Sequence, residues 1–295
     1  MKKYLIFAAS VAVMGLAVSC AKSEIETTLS EPRTLTLGAE MPQLEQTKLS
    51  FKDAAEKELY WNSGDAFRLI TQDAIPATTK SYTDCGAFTT TDNNTKKASF
   101  SGTIPAGAAG DKNGLAVIPS DRYVSASFSG ITGGGYYLTV QVNIPAEQDG
   151  TGLKYMQGIA KFKGGALQNF FWSSAMFRLI VPAGHDIKKI TLSIPSTGKC
   201  LVCDQSLYFK EDTGEVSTIT TAQKGTLHYS VTIYNGGEEL SGEQFITVRN
   251  GDKNVKYTLT FYNSSDEVIK TFTFTSPSGV AYGKIYNLGD FTEKF

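Results

Sequence analysis

Along most of this chain apolar residues recur at every second position. The pattern runs through residues 34–37, 67–70, 137–144, 177–181, 190–194, 227–233, 257–261 and 272–274. Alternation of this kind predicts half-buried strands in antiparallel sheets, one face on a core and the other in water. Turn residues punctuate the strands. Asn250-Gly251 separates 244–249 from 255–262 and predicts a two-residue hairpin, because both residues accept positive φ. Residues 263–266 reverse the chain into 268–275, and 211–214 turn 207–209 into 216–219. The helical period is nearly absent, and residues 51–57 are the single short helix candidate. Short strands with turns at this spacing predict an all-β chain of sandwiches or barrels.

A weak repeat divides the chain. Trp61 precedes Phe67-Arg-Leu-Ile70, and Trp172 precedes Phe177-Arg-Leu-Ile180. The glycine-rich stretch 150–165 ends shortly before the second copy, which places a domain boundary near Gly165, with halves 34–165 and 166–295.

The N-terminus has a different character. Lys2 and Lys3 precede an apolar run from Tyr4 to Val18 broken only by Ser10, and the run ends in Leu16-Ala-Val-Ser-Cys20. It falls short of the ~20 residues that cross a bilayer. Residues 1–19 read as a lipoprotein signal peptide, with Cys20 as the sulfur that takes the lipid. Acyl chains there would hold the protein on a membrane, each buried CH₂ contributing about 0.8 kcal/mol. Residues 20–33 form a polar tether carrying one alternating segment, Ile25, Thr27 and Leu29.

Composition narrows the chemistry. The 295 residues hold 28 Lys and Arg against 29 Asp and Glu, a formal −1 with 19% charged residues, so no footprint for nucleic acid is present. Two histidines and four cysteines leave few metal ligands and few bases, and no cofactor or metal is expected. The sequence has no phosphate-binding glycine loop, zinc-protease motif or nucleophile elbow, and the chain is read as no enzyme. An envelope hydrolase would need two carboxylates converging in space, and nothing singles out a pair. Cys200 and Cys203 have CxxC spacing after an alternating strand, with no helix behind them; the readings are a local disulfide or two inert thiols. Tyr136 and Tyr137, beside Gly133 to Gly135, are the pair that a glycan-binding platform would use.

Five features resemble the fimbrillin family, the lipoprotein pilus subunits and related surface proteins of anaerobic Gram-negative bacteria. They are Cys20; Trp61-Asn-Ser-Gly64-Asp65, similar to the family's W-x-x-G-D; Phe100-Ser-Gly102-Thr-Ile104-Pro105; Ile144-Pro145-Ala-Glu-Gln148; and Gly283-Lys-Ile-Tyr286-Asn-Leu288. In W-x-x-G-D, Trp61 would plug the sandwich, Gly64 would supply a turn torsion other residues resist, and Asp65 would accept backbone N–H groups.

The resemblance implies two tandem transthyretin-like antiparallel β-sandwiches. It implies a lipoprotein of the outer membrane or cell surface, or of a fimbrium, that serves as an anchor, an accessory subunit or an adhesion-related protein. Partners would be other fimbrillin subunits through strand exchange, the membrane through the lipid, and a glycan or host-surface ligand. In this family a trypsin-like protease cuts after an arginine and the first strand leaves. Arg33 and Thr34 fit that cut, which would release Ile25, Thr27 and Leu29; the other reading of Arg33 is a solvated charge in a tether. Only seven residues, 289–295, follow Leu288, a poor donor arm for self-polymerisation. The competing function is a surface glycan-binding lipoprotein that feeds an outer-membrane importer.

Overall fold

The structure, a computed structural model, describes residues 31–41, 45–48, 59–72, 82–110, 113–130, 136–151, 153–168, 171–212 and 215–295. The signal segment, Cys20, the segment with Ile25, Thr27 and Leu29, the glycines 133–135 and the helix candidate 51–57 lie outside the described residues. Among the described residues the regular structure is strand, with three short 3-10 turns and no α-helix, so the chain is all-β as its period-two pattern predicts.

The first half supplies β1 (Arg33–Glu40), β2 (Glu45–Lys48), β3 (Ala66–Gln72), β4 (Tyr82–Thr90), β5 (Lys97–Ile104), β6 (Gly114–Ile118), β7 (Tyr123–Gly130), β8 (Tyr136–Asn143), β9 (Glu147–Gln148), β10 (Gly158–Lys163), β11 (Ala166–Leu167) and β12 (Phe171–Trp172). An antiparallel sheet runs β1-β5-β4-β3-β6-β10-β11, with β12 also on β10. Gly164 and Gly165, at φ +59° and +79°, form the two-residue turn between β10 and β11, where Lys163 faces Ala166. This sheet therefore continues through Trp172, which pairs with Gly158.

The second half supplies β13 (Ala175–Val181), β14 (Lys189–Ser193), β15 (Val202–Asp212), β16 (Glu215–His228), β17 (Ser230–Tyr234), β18 (Gly242–Val248), β19 (Val255–Tyr262), β20 (Val268–Ser276) and β21 (Lys284–Asp290). One sheet is β18-β13-β21-β2 and another is β20-β19-β14-β17-β9. Their inner faces meet as a sandwich, with Phe177, Leu179 and Ile246 from one layer packed among Ile190, Leu192, Leu259 and Phe261 from the other. A fourth sheet, β16-β15-β8-β7, joins hairpins from both halves. Val140 and Val142 of β8 pack with Ile70, Leu115 and Val117, layering that sheet on the first half.

The repeated Phe-Arg-Leu-Ile has a structural meaning. Phe67 and Phe177 are fully buried in the two main cores, on β3 and β13. The arginine that follows each points away from its core and pairs with an acid on the neighbouring antiparallel strand. Arg68 Nε bonds both Asp84 oxygens at 2.8 and 2.9 Å, and Arg178 Nε bonds Glu243. In both cases the acid stands opposite the isoleucine two residues on, Ile70 or Ile180.

One turn expectation fails. Asn250-Gly251 does not close a hairpin, because β18 pairs with β13 and β19 pairs with β14, in different layers. Gly251 instead bridges Val280 through two backbone hydrogen bonds. Burial of both faces overrides the local turn preference here: 245–248 are buried without a break, so this strand packs on both faces at the end of the β13 sheet and leaves the hairpin partner to the opposite layer.

Packing differs sharply between two glycines of the first sheet. A Cβ on Gly102 would stand 2.6 Å from the ring of Phe88, which is buried and stacked on Phe67 at 5.5 Å, whereas a Cβ on Gly38 would meet nothing within 4 Å. Gly102→Ala is expected to cost about 1–3 kcal/mol through overpacking. Gly38→Ala is expected to stay within about 0.5 kcal/mol. Urea melts of the two variants check the contrast.

Candidate functional site: an open seam beside a tryptophan-anchored strand

β1 keeps strict alternation. Leu37 and Ala39 are buried and Leu35 is half-buried, while Thr34, Thr36, Gly38 and Glu40 face out. One edge of β1 pairs with β5 over all eight residues in unbroken register, from Arg33 opposite Ile104 to Glu40 opposite Lys97. The other edge belongs to the end of the sheet path. The path curls so far that its two end strands, β1 and β11, come alongside one another without a ladder between them. A groove of about 380 Å³ lies at this seam, lined by Gly38, Ala39, Glu40, Ala98, Leu167 and Gln168. Leu35 and Leu167, on opposite sides of the seam, both pack on the first core while partly exposed.

What fixes β1 is the W-x-x-G-D segment. Trp61 is fully buried, sits edge-on to Phe100 at 4.9 Å, and its indole Nε1–H donates to the Ala39 carbonyl at 3.2 Å. Gly64 has φ +93°, a torsion that L side chains resist. The Asp65 carboxylate accepts the Asn62 N–H at 2.8 Å, closing the turn that leads into β3. Each role read from these three residues is present. Burial pushes the Asp65 carboxyl up from its ordinary value, and the Asn62 N–H partly offsets that.

Both tryptophans also border one cavity of about 570 Å³, together with Met41, Asp65, Ile118 and Met156. Trp172 is seated there by two glycines: a Cβ on Gly158 would stand 3.3 Å from its ring, and one on Gly283 would stand 3.8 Å from its Cβ. With exposures of 0% and 7%, neither indole offers a face for stacking a sugar.

Arg33 opens β1. It is half-buried, and its guanidinium donates to the Ala108 carbonyl at 3.1 Å. Thr34 is the exposed next residue, opposite Thr103. Tyr136 and Tyr137 begin β8, which is paired on both edges, with Tyr136 opposite Gly130 and Glu211 and Tyr137 opposite Ser129 and Lys210. Cys200 and Cys203 are buried thiols in the second half, remote in topology from the seam. The residues that border β1 from beyond its own strand pair, Ala108 and Leu167, were not singled out from sequence; only the Gly164-Gly165 turn, which folds β11 back, signals them. Among the described residues no group of three or more His, Cys, Asp or Glu could hold a metal, and no helix is long and apolar enough to cross a membrane.

No protein-family model matches the chain, and no curated protein sequence matches it. Solved structures do resemble it. A candidate cell adhesion protein of Bacteroides uniformis is 12% identical over 87% of this chain and 92% of its own, with a TM-score of 0.48. The tip fimbrial protein Mfa3 of Porphyromonas gingivalis is 8% identical over 87% and 94%, with a TM-score of 0.33. A fimbrial assembly protein of Parabacteroides distasonis is 9% identical over 88% and 90%, with a TM-score of 0.29.

The anchoring turn is separable from its charge. Asp65→Ala removes the acceptor for the Asn62 N–H and is expected to cost about 1 kcal/mol. Asp65→Asn keeps an acceptor and removes a carboxylate that burial disfavours, so at pH 7 it is expected to be at least as stable as the parent. Because the folded-state pKa is raised, the parent's deficit relative to the asparagine variant should shrink as pH falls through that value. Thermal melts at pH 7 and pH 4 check both points.

Proposed function

We propose that this protein is a lipid-anchored, fimbrillin-like surface subunit, an anchor or accessory component of a fimbrium with an adhesion-related role, that presents the β1/β11 seam to an extended strand. The observation that carries the reading is the seam. Among the described residues β1 has one complete ladder and one edge without a ladder, and the facing strand β11 is only two residues long. An added strand would satisfy the N–H and C=O groups along that edge, and its inward side chains would cover Leu35 and Leu167. Eight residues of β1 span about 27 Å, enough for a seven- or eight-residue partner.

The order of the chain supports the same reading. Residues 25–29 alternate and precede β1, so they are the segment of this chain best placed to fill the seam before processing. Cleavage after Arg33 would remove them and leave Thr34 at the head of β1. The Arg33–Thr34 bond lies at the strand's first residue, where fraying is easiest, although the Arg33 guanidinium must release the Ala108 carbonyl first. The C-terminal residues support an acceptor role. Phe291 is buried and Phe295 packs edge-on to Phe261 at 5.0 Å, so this tail is folded onto its own sandwich. Cys20 would take the lipid that holds the subunit at the outer membrane.

Limited trypsin digestion of the full chain followed by N-terminal mass measurement tests the reading. The expected product starts at Thr34 with both halves intact, and Arg33→Ala blocks it. The trimmed chain, and not the untrimmed one, is expected to bind a synthetic peptide of residues 24–32, with loss of binding when Ile25, Thr27 and Leu29 are all alanine. A trimmed chain that ignores the peptide, or a native chain never cut at Arg33, overturns the reading.

A further inference from the structure

Cys200 and Cys203 belong to no feature of the seam, yet the fold is bent to bring them together. Cys200 and Leu201, just ahead of β15, and Val202 and Cys203, which open it, are all buried, at 2%, 4%, 0% and 1% exposure. The register of β15 on β16 slips between Val202, opposite His228, and Asp204, opposite Lys224, so Cys203 faces a bulge whose extra residues belong to β16. Cys203, opposite that bulge, is buried, and its thiol hydrogen-bonds Cys200.

The second feature is a buried guanidinium. Arg249, 3% exposed, directs Nη1 at the Cys200 sulfur at 3.7 Å, while its backbone N–H donates to the Leu201 carbonyl at 2.8 Å. Inert structural thiols sit among apolar groups, where the neutral form is preferred. Cys200 instead has a cation against its sulfur. The Cys203 hydrogen bond first, and then Arg249, hold its thiol down to about 6 in spite of burial. The covering segment is light. Residues 195–199 are exposed, and Lys199 ties them to Asp252 by an exposed ion pair at 3.1 Å and a long N–H contact at 3.4 Å. Exposed pairs of this sort contribute little, so local opening at this loop is cheap.

We propose that Cys200 and Cys203 are a thiol–disulfide exchange couple, with Cys200 as the attacking sulfur held ready by Arg249 and Cys203 as the resolving sulfur. The oxidant is a disulfide, R–S–S–R, of a small thiol or of a protein. Cys200 thiolate attacks one of its sulfurs, forming a Cys200–S–S–R mixed disulfide and releasing R–S⁻. Cys203 loses its proton to solvent and attacks the Cys200 sulfur, closing the Cys200–Cys203 bond and releasing the second R–S⁻. Two electrons pass to the oxidant, which leaves as two thiols once it takes up protons. Closure joins residues only three apart, so the loop entropy gained is small. It also removes the negative charge beside Arg249. Both effects favour ready reduction, which makes the couple reversible and sets it apart from a permanent staple.

Incubating the folded full chain with oxidised glutathione, followed by acid quenching and peptide mapping, tests this. The expected product is a Cys200–Cys203 disulfide with Cys85 left as a thiol. Cys203→Ser should accumulate glutathione on Cys200, and Cys200→Ser should give no adduct on Cys203. The groups facing Cys200 are Cys203 and Arg249, with Lys199 on the covering loop, Asp252 paired to it, and the His228 carbonyl behind Leu201. The pH profile of the reaction should therefore have its midpoint near 6. Arg249→Met should move that midpoint upward and slow the reaction at pH 6 by about tenfold, the loss of thiolate exceeding the gain in intrinsic nucleophilicity. Arg249→Lys should restore much of it. If the native chain forms no disulfide while the denatured chain does, or if Cys203→Ser traps nothing, the thiols are inert and the proposal falls; the trap experiment stands even where Arg249→Met does not fold.

Discussion

A sheet that ends must leave a row of backbone donors and acceptors without a ladder partner, and the first half of this chain brings two such ends face to face. The path from β1 to β11 curls until its terminal strands come alongside each other, but β11 stops after two residues. A closed barrel would have removed the edge altogether. Here the core needs the curl, because Phe67, Phe88, Phe100 and Trp61 fill its concave side, while the short β11 leaves the barrel unsealed. The seam is a direct result of those two requirements.

The strength of β1's attachment decides what can be exchanged. β1 is held by an unbroken ladder to β5, by Leu37 and Ala39 in the core, and by the Trp61 indole on the Ala39 carbonyl. Burying a leucine contributes about 1.5–3 kcal/mol, and stripping the indole's acceptor would leave a buried polar group unsatisfied. β1 is therefore a wall of the seam. Whatever fills the seam adds to β1 and does not replace it.

Much of this was legible in the sequence, and the pattern of success is physical. Period-two stretches became strands because alternation is a local property of a half-buried ribbon: β3, β13 and β19 contain their predicted segments, and β8 and β14 contain all but the last residue of theirs. The Trp61, Gly64 and Asp65 roles were readable because each depends on a single residue's chemistry. The repeated Phe-Arg-Leu-Ile marked the same device twice, a core phenylalanine beside a strand-edge ion pair. What could not be read was which strands become neighbours. Asn250-Gly251 looks like a hairpin turn, yet β18 and β19 enter different layers, since pairing is settled by burial over the whole sandwich. The seam itself depends on two strands more than a hundred residues apart, and the register slip opposite Cys203 depends on how β16 is threaded. Neither leaves a local signature.

The C-terminal end sets a direction on any assembly. Phe291 and Phe295 pack with Phe261 and Phe272, all within 6.3 Å between ring centroids, and Phe291 is buried. Pulling residues 291–295 out as an extended arm would expose two phenylalanines, at about 1.5–3 kcal/mol each for full burial, before any new contact formed. It would also uncover Phe261 in the sandwich core. Among the described residues the second edge of β1 carries no such penalty, because it has no ladder to break. The cost of extending the chain is therefore unequal, small at the seam and large at residues 291–295, because apolar rings hold one and not the other.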